Sequence, residues 1–143
     1  MNNDIFKLKE LESLVGHRFN DPNVLKQALT HASLERSSWN VYERLEFLGD
    51  RVLGLVVSET LLKRFPNERE GQISRRYANL VKRDSLAVVA RKIKFGNYLL
   101  ISTGEEAAGA RESVTILSDA LEAVIGALYW DGGLEVARQF ILE

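Results

Sequence analysis

The chain has 143 residues, 45% apolar and 27% charged, which suits one globular domain with a core. It has no cysteine, which excludes disulfides and thiolate metal sites. The net charge is −1, yet residues 63–94 carry ten basic and three acidic groups, a local +7 inside a chain that is otherwise acidic. Such a segment points to a polyanionic contact or to solvated helix faces.

Helical periodicity dominates, and one all-α domain over residues 1–143 is expected. A first helix is predicted over 6–15, ending near Gly16. A second opens at Asp21 with Pro22 at its first helical position, the usual cap-then-proline order, and carries "VLKQALTHAS". His31, near its end, reads as a capping or core group. The polar loop "ERSSWN" leads into a long helix over 41–64, stopped by Pro66. A basic helix follows over 73–82, and another, capped by Asp84, over 85–93. "STGEEAAGARES" reads as a loop. A strongly apolar helix is expected over 115–130, with "DGG" as its stop, and a last one over 134–141. Trp39 and Trp130 read as core or interface groups.

The opening "MNNDIFKLKE" lacks the apolar stretch of a signal peptide. The most apolar run, 114–130, contains Asp119 and Glu122, which argues against a membrane span. A cytoplasmic protein without a membrane partner is expected.

The chemistry concentrates on the two apolar helices. In the 41–64 helix, Glu43, Glu46 and Asp50 fall within an arc of ~60°. Leu45, Leu48, Val52, Leu55 and Val56 centre on the other side, and past Asp50 the helix is expected to be buried all round. Asp119 and Glu122 repeat the device one turn apart, with Ala123 and Gly126 continuing their face. Gly inside a helix costs about 1 kcal/mol relative to Ala, so Gly49 and Gly126 call for close approach of a backbone or a ligand. Each acid pair alone is compatible with a solvated face. If the two helices pack with their acid faces together, the carboxylates repel, and a bound cation resolves this. An all-carboxylate set suits Mg²⁺ or Mn²⁺. Beside a basic surface, that layout suits metal-assisted phosphodiester hydrolysis. Phe47, near the edge of the acid arc, packs on a neighbouring helix or meets a partner chain.

"ERLEFLGD", residues 43–50, resembles the signature of the bacterial-type ribonuclease III family. "FNDPNVLKQALTHAS", "FPNEREGQISRRYANLVKRDSLAVVA" and "ILSDALEAVIGALYWDGG" resemble further stretches of it, so the likeness runs from about Leu11 to the end. The resemblance implies an all-helical endonuclease domain that works as a homodimer in RNA processing. It implies Mg²⁺-assisted cleavage of double-stranded RNA, leaving 5′-phosphate and 3′-hydroxyl ends. On this likeness Glu46, Asp50, Asp119 and Glu122 occupy the catalytic, Mg²⁺-binding positions, with Mn²⁺ as a substitute ion. Glu43 matches an acid near the scissile strand. Glu70 matches a glutamate that completes the valley across the dimer. Phe47 matches an aromatic inserted into the partner subunit. Arg75, Arg76, Lys82 and Arg83 lie where RNA phosphates are met. Arg51 stands where small residues are common, and could pair with a carboxylate or reach a phosphate. Val114 and Thr115 depart from the usual polar or proline-containing version. Typical bacterial members carry a double-stranded-RNA-binding domain after this one, so the chain is expected to be the catalytic domain of a longer protein, with a natural short form lacking that domain as the other possibility. The alternative is a non-catalytic RNA-binding or scaffold module on the same fold.

Overall fold

The computed structural model describes residues 2–34 and 41–142. The loop expected at 35–40, Trp39 included, lies outside the described residues. The expected all-α class holds: the described residues form α1 (Asn2–Val15), α2 (Pro22–Leu29), α3 (Val41–Arg64), α4 (Glu70–Val81), α5 (Arg83–Lys92), α6 (Thr103–Ala107), α7 (Val114–Gly132) and α8 (Leu134–Ile141). No strand occurs among them, only an isolated parallel bridge between Thr30 and Leu100.

Local chemistry explains most boundaries. Asp21 caps α2, its Oδ1 accepting from the Asn23 N–H at 3.0 Å with Pro22 in the first turn. Gly16 takes φ +76 and ends α1, a conformation that glycine adopts at no steric cost. Ser113 caps α7 by accepting from the Ile116 N–H.

Several boundaries differ from expectation. α2 stops at Leu29, because Thr30 turns extended and the next residues bond across to Leu100. His31 therefore sits past the helix, where its Nδ1 accepts from the Ser33 N–H at 3.0 Å and steadies a 3₁₀ turn. α4 begins at Glu70, since Gln72 Oε1 reaches back to the Arg69 N–H and extends the first turn. Asp84 lies inside the first turn of α5 rather than capping it. The glycine-containing stretch after Ser102 forms the short α6, with the Ser102 hydroxyl as its cap. Asp131 and Gly132 belong to α7, and the stop is Gly133 at φ +88.

α7 is the axis of the fold. Every residue from 123 to 128 is buried, and α2, α3, α5 and α8 all pack around this helix. Its longest contact is with α3. α3 is not buried all round: Val52, Leu53 and Val56 face the core, while Phe47, Leu55 and Leu62 are exposed at 61%, 55% and 62%. Trp130, 70% exposed, is not a core residue.

Candidate metal centre and nucleic-acid face

The site begins with two glycines. A Cβ built on Gly49 would fall on the carbonyl oxygen of Glu122 and 2.8 Å from the Gly126 N. One built on Gly126 would strike the Leu45 carbonyl oxygen and lie 3.1 Å from the Gly49 N. Of the two reasons open for these glycines, close approach of a backbone is the one observed. Side-chain-free crossing points let α3 and α7 meet backbone to backbone. Glu46, Asp50, Asp119 and Glu122 flank that crossing, so the glycines set how near the acids come.

Glu46, Asp119 and Glu122 each offer a carboxylate oxygen within 4.8 Å of the others, and all three side chains are half-buried. Asp50 joins them from the exposed side. The four fall into two neighbouring pairs, Glu46 beside Asp119 and Glu122 beside Asp50. Burial first, then the neighbouring carboxylates, pushes Glu46 up to about 7 and Glu122 up to about 8. Such shifts are what like charges in a half-buried place produce when no cation lies between them. The Tyr42 phenol is buried beside the cluster and is held well above its ordinary value, by burial and then by Glu46, Asp119 and Glu122. Glu43 is exposed one turn before Glu46, and its charge adds to the upward push there.

The donor set fits a hard divalent cation. The three close acids are oxygen donors, and Cys and His take no part in the cluster. Clustered anions with raised pKa values are stabilised by a cation and by little else within reach. Such a cation can polarise a phosphate oxygen, which gives the cluster its chemical competence.

Not every expected residue joins it. Glu70 is exposed at the start of α4 and is absent from the charges that shift Glu46 or Glu122. Arg76 is committed elsewhere. It grips Glu68 through two hydrogen bonds of 2.7 and 2.8 Å, and its guanidinium stacks 3.7 Å from the Phe65 ring centroid. That arrangement pins the turn between α3 and α4, so Arg76 is a structural group before it is a phosphate contact. Arg75 and Lys82 are exposed on the same basic segment. Arg83 reaches the site itself, 3.9 Å from Asp119 and 3.5 Å from the Thr115 hydroxyl. Arg51 takes the first of its two options, pairing with Asp50 at 3.2 Å while its guanidinium lies 3.7 Å over the Phe47 ring.

A second carboxylate centre went unread in the sequence. Asp131, with a side chain only 5% exposed, accepts from the Asn20 and Asp21 N–H groups at 2.8 and 3.1 Å and lies 2.8 Å from His17 Nε2. Burial raises its pKa, but the bonds from His17, Asn20 and Asp21 outweigh that and leave it below the ordinary value. It fastens the α1–α2 turn to the end of α7.

Comparison with known proteins agrees with the geometry. The family model described as Ribonuclease-III-like matches residues 21–143. The "Ribonuclease 3" of Ectopseudomonas mendocina (strain ymp) is 47% identical over 136 residues, 95% of this chain and 58% of that protein. The "Ribonuclease 3" of Anaplasma phagocytophilum (strain HZ) is 48% identical over 128 residues, 90% of this chain and 54% of that protein. The chain thus spans somewhat more than half the length of these relatives. Among solved structures, the nuclease domain of ribonuclease III from Campylobacter jejuni, with a flexible region involved in its dimer formation, superposes with TM-score 0.87 at 45% identity. That match covers 95% of this chain and 92% of the other. Dicer from Pichia stipitis is more distant, with TM-score 0.64 and 26% identity over 86% of this chain and 52% of that one.

Proposed function

The chain belongs to the ribonuclease-III-like family, and from that premise we propose that it is the catalytic part of an endoribonuclease that cleaves double-stranded RNA. The observation that carries the reading is the half-buried cluster of Glu46, Asp119 and Glu122, joined by Asp50, with its upward-shifted carboxyls. A non-catalytic scaffold has no use for such a cluster, which works against packing unless a cation is present, so the scaffold alternative is not favoured.

Glu46, Asp119 and Glu122 hold Mg²⁺, or Mn²⁺ in its place, and Asp50 completes the set. When bound, the ion supplies Lewis acidity toward a phosphate oxygen and a lowered pKa for water. The residues do the rest. The crossing of α3 and α7 fixes the carboxylates before RNA arrives, so little reorganisation is needed. Glu122 and Asp50, side by side at the edge of the cluster, are placed to hold or pass a proton. Glu43, on the rim, faces the scissile strand. Arg75 and Lys82 meet phosphates along the duplex without reading sequence. Hydrolysis leaves a 5′-phosphate and a 3′-hydroxyl.

A homodimer completes the site. The exposed apolar stripe of α3, Phe47, Leu55 and Leu62, is the face offered to a second copy, with Phe47 inserted into it. Glu70 of each copy then closes the valley over the other's cluster. No described helix is long and apolar enough to cross a membrane, and we place the activity in the cytoplasm.

The decisive experiment is Glu122→Gln. Cleavage of a perfect duplex in Mg²⁺ is expected to fall by at least on the order of 10²-fold, with helicity and mass unchanged. Wild-type turnover by that variant would remove the cluster from the chemistry.

A further inference from the structure

Arg83 opens α5, a third helix, and leans over both acid-bearing helices. Its guanidinium is 3.9 Å from Asp119 on α7, and its charge pulls down the carboxyl of Glu46 on α3. It thus touches the fields of both acid-bearing helices from a helix that carries none of the clustered acids. Other arginines are engaged in firmer ties. Arg76 grips Glu68, Arg111 holds Glu106 and two backbone carbonyls, and Arg138 pairs with Glu59. The ties of Arg83 are long and wet: 3.9 Å to Asp119, 3.5 Å to Thr115, with its side chain 62% exposed. At such distances the contacts are weak and easily exchanged.

We propose that Arg83 is a tethered counter-ion, which neutralises the acid cluster while its cation is away and turns to an RNA phosphate when the cation is held. The proposal rests on the function given above. One positive charge beside three clustered carboxylates relieves their repulsion. Once a divalent cation satisfies Asp119 and Glu46, Arg83 is repelled from that position rather than attracted to it. The freed guanidinium then stands at the mouth of the site, with the fork geometry that suits a phosphate. Metal and RNA occupancy are thereby coupled through one side chain, and the coupling is reciprocal.

Two readouts with opposite signs test this. The first is calorimetric titration of the protein with Mn²⁺ alone, without RNA. Arg83→Gln is expected to bind Mn²⁺ about fivefold more tightly, because a competing charge has gone. Arg83→Lys should fall between Gln and wild type. Lys92→Gln, the same charge change at the far end of α5, should leave affinity unaltered. The second readout is steady-state cleavage of a short duplex at saturating Mg²⁺. There Arg83→Gln should raise KM about tenfold, with kcat nearly unchanged. A damaged fold would weaken both properties, not strengthen one. Mn²⁺ affinity no tighter than wild type in Arg83→Gln overturns the counter-ion role, and an unchanged KM overturns the turn to phosphate. If the wild-type protein itself binds no Mn²⁺, the proposed function fails and this inference with it.

Discussion

Two carboxylate centres lie along α7, and they behave in opposite ways. Asp131 has a side chain only 5% exposed, yet its pKa is depressed, because His17 and two backbone N–H groups face it. Glu122, half-buried, has other carboxylates for company and a pKa pushed up to about 8. Burial alone therefore does not decide the outcome; the partners do. A carboxylate with donors around it serves the fold. Carboxylates facing one another, with a single loosely held arginine beside them, leave room for a divalent cation.

Gly49→Ala breaks the first centre and spares the second, and it should have the largest effect. Its methyl would overlap the Glu122 carbonyl, and no flexible side chain is there to yield. Overpacking of this kind costs typically ~1–3 kcal/mol, and contact with backbone puts this site at or above the upper end. Chemical denaturation should show the loss, and Mn²⁺ titration should show weakened binding as α3 and α7 move apart.

Asp131→Asn addresses the other centre. Losing a charged acceptor for two backbone N–H groups and an imidazole should cost about 1–3 kcal/mol. Metal affinity should stay as in the wild type. A change in affinity equal to that of Gly49→Ala would mean that the two centres are not separate.

The smallest effect is the most diagnostic. Glu46 and Glu122 have folded-state pKa values above those of the unfolded chain. The stability they contribute is fully present below about pH 4.5, and is lost as pH rises through about 7 and about 8. Asp131 has the opposite sign: its contribution is present above its unfolded value of about 4 and lost as pH falls through its depressed folded value. Without metal, the melting temperature should fall by a few degrees between pH 6 and pH 9, and Mg²⁺ should restore it most at the alkaline end. A melting profile that is flat over that range, with or without Mg²⁺, would contradict the raised carboxyls.

The acid cluster was legible in the sequence because its parts are periodic. Glu46 with Asp50, and Asp119 with Glu122, each sit one turn apart on a face whose other side is apolar. The paired glycines showed that something comes close, though the sequence alone left backbone and ligand equally open. The Asp131 clasp was not legible: its partners lie 110 to 114 residues away, and no local pattern joins them. "DGG" read as a helix stop, true of Gly133 alone. The basic segment read as a polyanionic contact or as solvated helix faces, yet Arg76 is spent on Glu68 and Phe65, while Arg83 reaches the acids. Charge counts cannot separate these, because both depend on which way a long side chain turns. Leu55 matched the apolar stripe by angle and still faces outward, as periodicity gives a direction but not a neighbour.

The burial of α7 on every side bears on how the molecule is made. The helix that α2, α3, α5 and α8 pack around comes from the last quarter of the chain. During synthesis, α2, α3 and α5 emerge with apolar faces and no common partner. Their docking needs closure of long loops, since Gly49 must find Gly126 across more than half the sequence, and such non-local contacts form slowly. Until residues 114–132 are free, the nascent chain exposes its stickiest surface. The protein's most vulnerable moment is thus a matter of timing at the ribosome, set by where in the sequence its central helix is written.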